Sequence, residues 1–593
     1  MLLLTTLGIA TLLIIFAQHS SVDQVEPIIY SLYQISNLNN RQLNNFVTFH
    51  ELLNELRVHQ PVHPKPLREP RIVRFQAFER WVHSAFVQHN SSLVRARPTQ
   101  PQHPTNGATP TTLEGAPQSG SPSSLSPVEF ELTAQTELQP FQAIFQIPTR
   151  YIFLNDTAVD VLKSCISVTD FSDDDIESKR YLSAPMIWTS LQLISEYFNP
   201  STHLRRYILS LPRVGEFHHV LLLSHKTIEY LDQTGTDLEI ARLQYDVATL
   251  YAIIWYKIQQ NPLHCGQVYL TSPSFTYDLF AWAVAITMMR SVSNKAILIP
   301  YYDTIGHGDA KDPEKLRPSI AAFLAIRNST ITGEPVCVVT TGRKVAVGET
   351  LTRLYTLLAT LDEFYIKHNL LEHSATGSLE IHLSPSDHNY FSAKKSLSKV
   401  NLTTDFDITL NSVNADLPLN DFYYEAIARI VTGDDDYEGM ANENWSLVWD
   451  YVLDLLQEKI DNFPFDNRQE IEATIETIEQ SGDPITQTGA PIAEALNVLG
   501  YMLHLYTMYE DYTDRVETLR SMHILHSRYE PSKRTRYISL QVSMEHLLAN
   551  SSHNSDSARG ENTNDDTPPD ELTYFVDEDE ELPDNEDEEL FGG

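Results

Sequence analysis

Cysteine is scarce in this sequence, with three residues, Cys165, Cys265 and Cys337, among 593. None belongs to a CxxC pair, so local spacing builds neither a zinc cluster nor a disulfide framework, and all three read as buried structural thiols. Bases are scarce too, 42 Lys and Arg against 79 Asp and Glu, for a formal charge of −37. A general nucleic-acid binder, which needs cations for phosphate contacts, is excluded, and protein partners of basic or neutral character are expected. Past residue 20 no stretch of 18 or more apolar residues occurs, so no membrane span is expected there. GxSxG, the Walker A loop, GxGxxG and HExxH are all absent, which removes support for hydrolase, P-loop and zincin readings. The 22 histidines are scattered, the adjacent His218 and His219 read as surface or core residues, and no metal site is expected.

What is present is enough apolar content for sizeable cores, 42% hydrophobic with 20% charged. The length calls for two or three of them. Leu2 to Ala17 is an uncharged, mostly apolar run, closer to a signal-peptide core or short anchor than to a full span. It implies the secretory route or an organelle entered through it, with membrane contact only if the segment stays uncleaved; a cytoplasmic location is the alternative. Asn-x-Ser/Thr occurs at Asn90, Asn155, Asn328, Asn401, Asn444 and Asn550. Chance yields roughly five in such a chain, so these sequons alone decide nothing.

Composition divides the remainder. Residues 21–97 carry helical spacing, in Val25 to Arg57 and again in Val73 to Val87 with Phe78, Trp81, Val82 and Phe86. Seven prolines between Pro98 and Pro127, among Thr, Ser, Gln and Gly, mark a linker over 98–127. Phe130, Leu132 and Ala134, then Ala143, Phe145 and Ile147, alternate as strands do, and Pro148 ends the second run. Helices are expected over Ala184 to Phe198, Ala241 to Ile258 and Tyr277 to Ser291, with a short helix-loop element closing at Tyr207 to Pro212. Buried strands are expected at Ala296 to Ile299, Val336 to Thr340 and Val345 to Leu354. Beyond about Thr376 only helices are expected, at Asp421 to Val431, Trp445 to Asn462, Arg468 to Gln480 and Ala493 to Met522. The fold class is α+β over 128–375, then an all-α domain over 376–545, then a disordered acidic tail over 546–593. Glu561 to Gly593 holds 15 acids and no Lys or Arg, a solvated run with Leu572, Tyr574 to Val576 and Leu590 to Phe591 as its only candidate recognition elements.

Four ordered segments carry a resemblance. Tyr207-Ile-Leu-Ser-Leu-Pro212 is like PYIxxLP, and Ser274 to Ala283 with Arg290 is like FTYExYxWAxxxVxTR. Leu298-Ile-Pro-Tyr-Tyr-Asp-Thr-Ile-Gly-His307 is like LIPxxDxxNH, and Gly348-Glu349 through Tyr355 is like GExxxxxYG. In order and spacing this resembles the SET-domain protein methyltransferases of the Rubisco-lysine and actin-histidine branch, over roughly residues 75 to 540. The resemblance implies small β-sheets with a helical insert at about 170–290 and a C-terminal helical substrate-binding domain.

It also implies transfer of a methyl group from S-adenosylmethionine to a Lys or His nitrogen of a protein substrate. Tyr355 falls on the family's catalytic tyrosine, whose hydroxyl would orient the acceptor nitrogen or polarise the methyl. Arg290, Asp303, Gly306 and His307 fall on its cofactor-binding positions, where an acid and a cation would bracket the zwitterionic end of the cofactor; Asp303 also suits a cap for the turn after Pro300.

Departures from the family pattern concentrate around the cofactor. Glu129-Phe130-Glu131 stands where the family has a Gly-x-Gly turn, Thr133 where it has an arginine, and Gln142-Ala143-Ile144 in place of Glu-Leu-Phe. Gly306 replaces its asparagine, Thr356 a glycine, and His368-Asn369-Leu370 its Ser-Gly-Phe contact, although Asp362-Glu363-Phe364 keeps its short Ala-Glu-Phe helix. Two functions follow as alternatives: a divergent S-adenosylmethionine-dependent protein N-methyltransferase, or a catalytically impaired SET-like pseudoenzyme that binds protein.

Overall fold

The computed structural model describes residues 25–32, 44–61, 69–86, 88–89, 93–98, 130–153, 156–166, 181–214, 216–292, 296–307, 325–329, 332–353, 360–369, 379–382, 407–410, 427, 445–481, 485–486 and 490–521. The apolar run Leu2 to Ala17, nearly all of the Pro-rich stretch, the acidic C-terminal run, Glu129, Tyr355 and the Asp421 to Val431 segment apart from residue 427 lie outside the described residues.

The architecture is a mixture of helices and small antiparallel sheets. Near the N-terminus the helical spacing resolves into three helices, 25–32, Asn44–His59 and Arg71–Ala85. The last buries Arg71, Arg74, Phe75, Phe78 and Val82, an i, i+4, i+7 stripe whose rings make a continuous apolar face. Its buried Arg74 donates to the carbonyls of Leu209 and Leu211, at 2.8 and 3.2 Å, and pairs with both oxygens of Glu216.

Strands at Phe130–Ala134, Ala143–Pro148 and Pro335–Thr340 fall where alternation predicts them, and those at Gln88–His89, Val94–Pro98, Gly306–His307 and Ala325–Asn328 do not. The strand expected over Val345 to Leu354 is reduced among the described residues to Thr352–Arg353 and single bridges at Val345 and Thr350. β1 (Gln88–His89), β4 (Ala143–Pro148), β6 (Ala325–Asn328) and β7 (Pro335–Thr340) form one sheet in the order β1-β4-β7-β6, with antiparallel pairing throughout. The inner position of β4 buries Ile144, Phe145 and Ile147, which explains its two-sided apolar character. β2 (Val94–Pro98) pairs antiparallel with β3 (Phe130–Ala134), and β5 (Gly306–His307) pairs parallel with β8 (Thr352–Arg353). Gly348 links these pairs: its N–H donates to the Ala134 carbonyl at 2.7 Å from a backbone at φ 81°, a conformation that favours glycine.

Ala296 to Ile299, expected as a strand, makes only single bridges, Val292 with Ile297 and Leu298 with Phe153. Ala296 and Tyr301 both have positive φ, 50° and 74°, so the chain turns at each end before a ladder can extend. Between β4 and β5 lies the helical insert, with helices Asp156–Ile166, Ala184–Phe198, Arg205–Ser210, Thr236–Gln260, Pro262–Gln267 and Tyr277–Arg290. Ser183 and Thr276 cap two of them by accepting from Met186 and Leu279 N–H. The Asn44–His59 segment docks on the insert through Arg57 and Asp278, 2.8 Å apart, and through Gln60, which accepts from Tyr277 N–H at 2.9 Å.

The reading of three thiols is corrected for two of them. Cys165 and Cys265 form a disulfide across a sequence separation of 100, their Cα atoms 5.0 Å apart. Local spacing carries no information about it, because packing of the Asp156–Ile166 helix on Pro262–Gln267 creates the proximity. Cys337 is the buried thiol, in β7, where burial pushes its pKa up to about 12.

Two compact units divide the described chain. Among the described residues the first runs to His382 and includes Asp461–Met508; the second has those of Leu383–Ile460 and 509–521. Helices Trp445–Asp461, Arg468–Ser481 and Ile492–Ser521 match the spacing-based expectation. The purely helical expectation beyond Thr376 is corrected by strands Leu379–His382 in the first unit and Asp407–Leu410 in the second. Each is four residues of alternating polarity, too short to stand out beside long helical repeats. In the second unit, Arg520 pairs with Asp450 at 2.7 Å. Among the described residues no helix is long and apolar enough to cross a membrane.

Candidate functional site

Three of the four resembling segments meet at one buried carboxylate. Asp303 sits in the 3₁₀ turn Tyr302–Thr304, held by its own N–H, which donates to the Ile299 carbonyl at 3.0 Å. Arg290 ends the Tyr277–Arg290 helix and Tyr207 lies in the helix Arg205–Ser210. The Tyr207 hydroxyl donates to Oδ2 of Asp303 at 2.6 Å, and Nη1 of Arg290 approaches the same oxygen at 3.6 Å. All three residues are buried. Arg353 of β8 joins the group from the fourth segment: its Nη2 donates to the Arg290 carbonyl at 3.4 Å and its guanidinium lies 5.2 Å from the centre of the Tyr302 ring.

Burial dominates the electrostatics. It pushes the Asp303 carboxyl up from its ordinary value, while Arg290, the Tyr207 hydroxyl and Arg353 pull in the other direction. Tyr207 is raised well above its ordinary value by burial and by the neighbouring Asp303 charge. Oδ1 of Asp303 finds no hydrogen-bond partner among the described residues, so the carboxylate keeps an acceptor in reserve.

A cleft beside this group is lined by Arg71, Phe75, Phe130, Ser210, Thr304 and the Tyr207–Asp303–Arg290 cluster, and Oδ1 itself is buried. Phe130 is the side chain β3 contributes, stacked on Phe75 with ring centres 3.7 Å apart and with the Arg71 guanidinium 5.7 Å from its centre. The cleft's free volume is about 10 Å³, room for about one water molecule. The donor set of one carboxylate between two guanidiniums suits a zwitterionic α-amino-acid group: the acid faces its ammonium and the arginines its carboxylate. The fit is chemical, and the cleft has to open before such a group enters.

Of the residues singled out in the sequence, Arg290 and Asp303 are thus brought together. Gly306 and His307 follow on β5, where they stand opposite Thr352 and Arg353 of β8. Tyr355, two residues past β8, lies outside the described residues. Sequence reasoning did not single out Arg71, Ser210, Arg353 or the role of Tyr207. Arg71 was within reach, because it stands four and seven positions before Phe75 and Phe78 on the same helical face. Thr133 is buried and donates to the Arg95 carbonyl at 3.2 Å. Asp362 and Glu363 lie in the short helix Leu361–Glu363, capped by Thr360.

No protein-family model and no curated protein matches this chain. Solved structures similar to it include the SET domain of LSMT bound to lysine and AdoHcy, 14% identical, covering 79% of this chain and 99% of that one at a TM-score of 0.43. Rubisco LSMT bound to sinefungin and monomethyllysine is 15% identical, covering 79% and 100% at 0.44. Rubisco LSMT bound to AdoMet is 14% identical, with the same coverage, at 0.45.

Proposed function

We propose that this chain is a divergent S-adenosylmethionine-dependent protein N-methyltransferase of the SET type, acting on a Lys or His nitrogen. The observation behind this reading is the convergence of Tyr207, Arg290 and Asp303, from segments that resemble separate family motifs, on one buried cluster. Asp303 Oδ1 would receive the cofactor's ammonium and Arg71 and Arg290 its carboxylate. When bound, the cofactor supplies an electrophilic methyl on a sulfonium.

The chain's own part is to hold, orient and dry that group. Tyr207 fixes the Asp303 carboxylate by donating to Oδ2, which leaves Oδ1 as the oxygen that would accept from the ligand. Phe75 and Phe130, stacked on each other, supply one apolar wall of the cleft. Tyr355 is assigned the acceptor side, where its hydroxyl would orient the nitrogen that receives the methyl. The net charge of −37 suits a basic or neutral acceptor protein.

Calorimetric titration of the full chain with S-adenosylmethionine tests this reading, with Arg290→Gln in parallel. Saturable micromolar binding is expected, weakened at least tenfold in the variant. Absence of binding up to millimolar cofactor in a folded sample overturns it and leaves a SET-like scaffold that binds protein without methylating it.

A further inference from the structure

We infer that this chain matures in an oxidising, glycosylating compartment, with Asn328 as a glycan acceptor and Cys165–Cys265 as a bond acquired there. Two independent features of the structure support this inference. The first is the disulfide, which joins helices 100 residues apart in sequence and closes a loop spanning most of the helical insert. Bonds of this kind persist where the surroundings oxidise thiols and are rare where glutathione and thioredoxin keep them reduced.

The second feature is the placement of a sequon. Asn328, the first residue of the sequon Asn328-Ser329-Thr330, ends β6, an outer strand of the four-stranded sheet, and is exposed. The following turn is held from within. Ser329 is buried, its N–H donates to the Glu334 carbonyl at 2.8 Å, its carbonyl accepts from Gly333 N–H at 2.8 Å, and its hydroxyl accepts from Thr332 N–H at 3.2 Å. These bonds use the backbone and Ser329, so a sugar on the Asn328 side chain projects to solvent without breaking any of them. A sequon count near chance is silent about function, whereas an exposed acceptor at a sheet edge, on a chain with a long-range disulfide, is informative. The apolar run Leu2 to Ala17 is the expected route into such a compartment.

Both covalent steps use co-reactants of known class. The two thiols give two protons and two electrons to a disulfide of a thiol–disulfide oxidoreductase, which leaves as the dithiol. The Asn328 amide nitrogen forms a bond to the anomeric carbon of a lipid diphosphate-linked oligosaccharide, the carbon–oxygen bond to the diphosphate breaks, and the amide gives up one proton.

The full chain expressed in a secreting eukaryotic cell line decides the matter by mass spectrometry of non-reduced peptides, after alkylation and enzymatic removal of N-glycans. A cross-linked peptide pair holding Cys165 and Cys265, and conversion of Asn328 to Asp by the glycan-removing enzyme, are expected; Asn328→Gln should lose one glycan step on a gel. Alkylation of both cysteines in the folded protein overturns the compartment inference. A cross-linked pair with an unmodified Asn328 overturns the acceptor assignment. Neither readout depends on methyl transfer, so the result stands apart from the catalytic proposal.

Discussion

The Tyr207 hydroxyl and the Asp303 carboxylate, 96 residues apart in sequence, meet at 2.6 Å in the buried floor of the cleft. Removing only the hydroxyl, as Tyr207→Phe, leaves a buried acceptor short of its donor, which costs about 1–3 kcal/mol. Asp303→Ala takes away the counter-charge of the buried Arg290 and should cost more, about 3–5 kcal/mol. Urea unfolding of the two variants and their double mutant is expected to give this order and a non-additive cycle.

Reduction of the Cys165–Cys265 bond should destabilise the first unit by about 2–5 kcal/mol, because it frees a long loop in the unfolded chain. Thermal unfolding with and without reductant measures this. The double variant Cys165→Ala/Cys265→Ala is expected to unfold at the reduced protein's temperature and to be indifferent to reductant.

Acid should loosen the first unit. His50, whose ring stacks on His225 at 4.6 Å, and the fully buried His219 both have pKa values lowered to about 4, chiefly by burial. His225 and Arg57 depress His50 further, while the Lys367 carbonyl opposes the shift of His219. The unfolded chain protonates these imidazoles near pH 6.5 and the folded one only near 4, so stability falls as pH drops through that window, by about 3 kcal/mol per group at its acid end. Denaturant midpoints between pH 7.5 and 4.5 should decline accordingly, less steeply in His50→Gln.

A second buried polar network centres on Tyr501 in the first unit. Tyr501 donates to Asp362 and shares a 2.8 Å hydrogen bond with Thr236, while its ring stacks on Tyr365 at 4.1 Å. Tyr501→Phe keeps the stacking and removes the hydroxyl, so a loss of about 1–3 kcal/mol without change in secondary structure is expected from denaturant unfolding monitored by circular dichroism.

Elements were legible where period and punctuation agreed. Ala184–Phe198 is capped by Ser183 with Pro185 in its first turn, and Tyr277–Arg290 by Thr276; both appear where the spacing puts them. Ala296 to Ile299 has the apolar content of a strand, yet positive φ on either side prevents a ladder. Strand Leu379–His382 escaped for the opposite reason, as two buried residues, Leu379 and Ile381, are too few to establish a period.

The candidate site divides in the same way. Arg290 and Asp303 were legible through motif order, which preserves chemistry at fixed offsets along the chain. Arg71 and Arg353 were not, because each reaches the cluster from an element packed against it, the Arg71–Ala85 helix and β8. By itself the sequence determined the mixed α and β character, most helix positions and the segments that would carry a site, since these depend on local periodicity and capping. Only the tertiary structure decided that Cys165 bonds Cys265, that Tyr207 holds Asp303, and that two strands lie beyond Thr376. Such outcomes depend on which distant surfaces exclude water together, and residue spacing along one chain does not encode that.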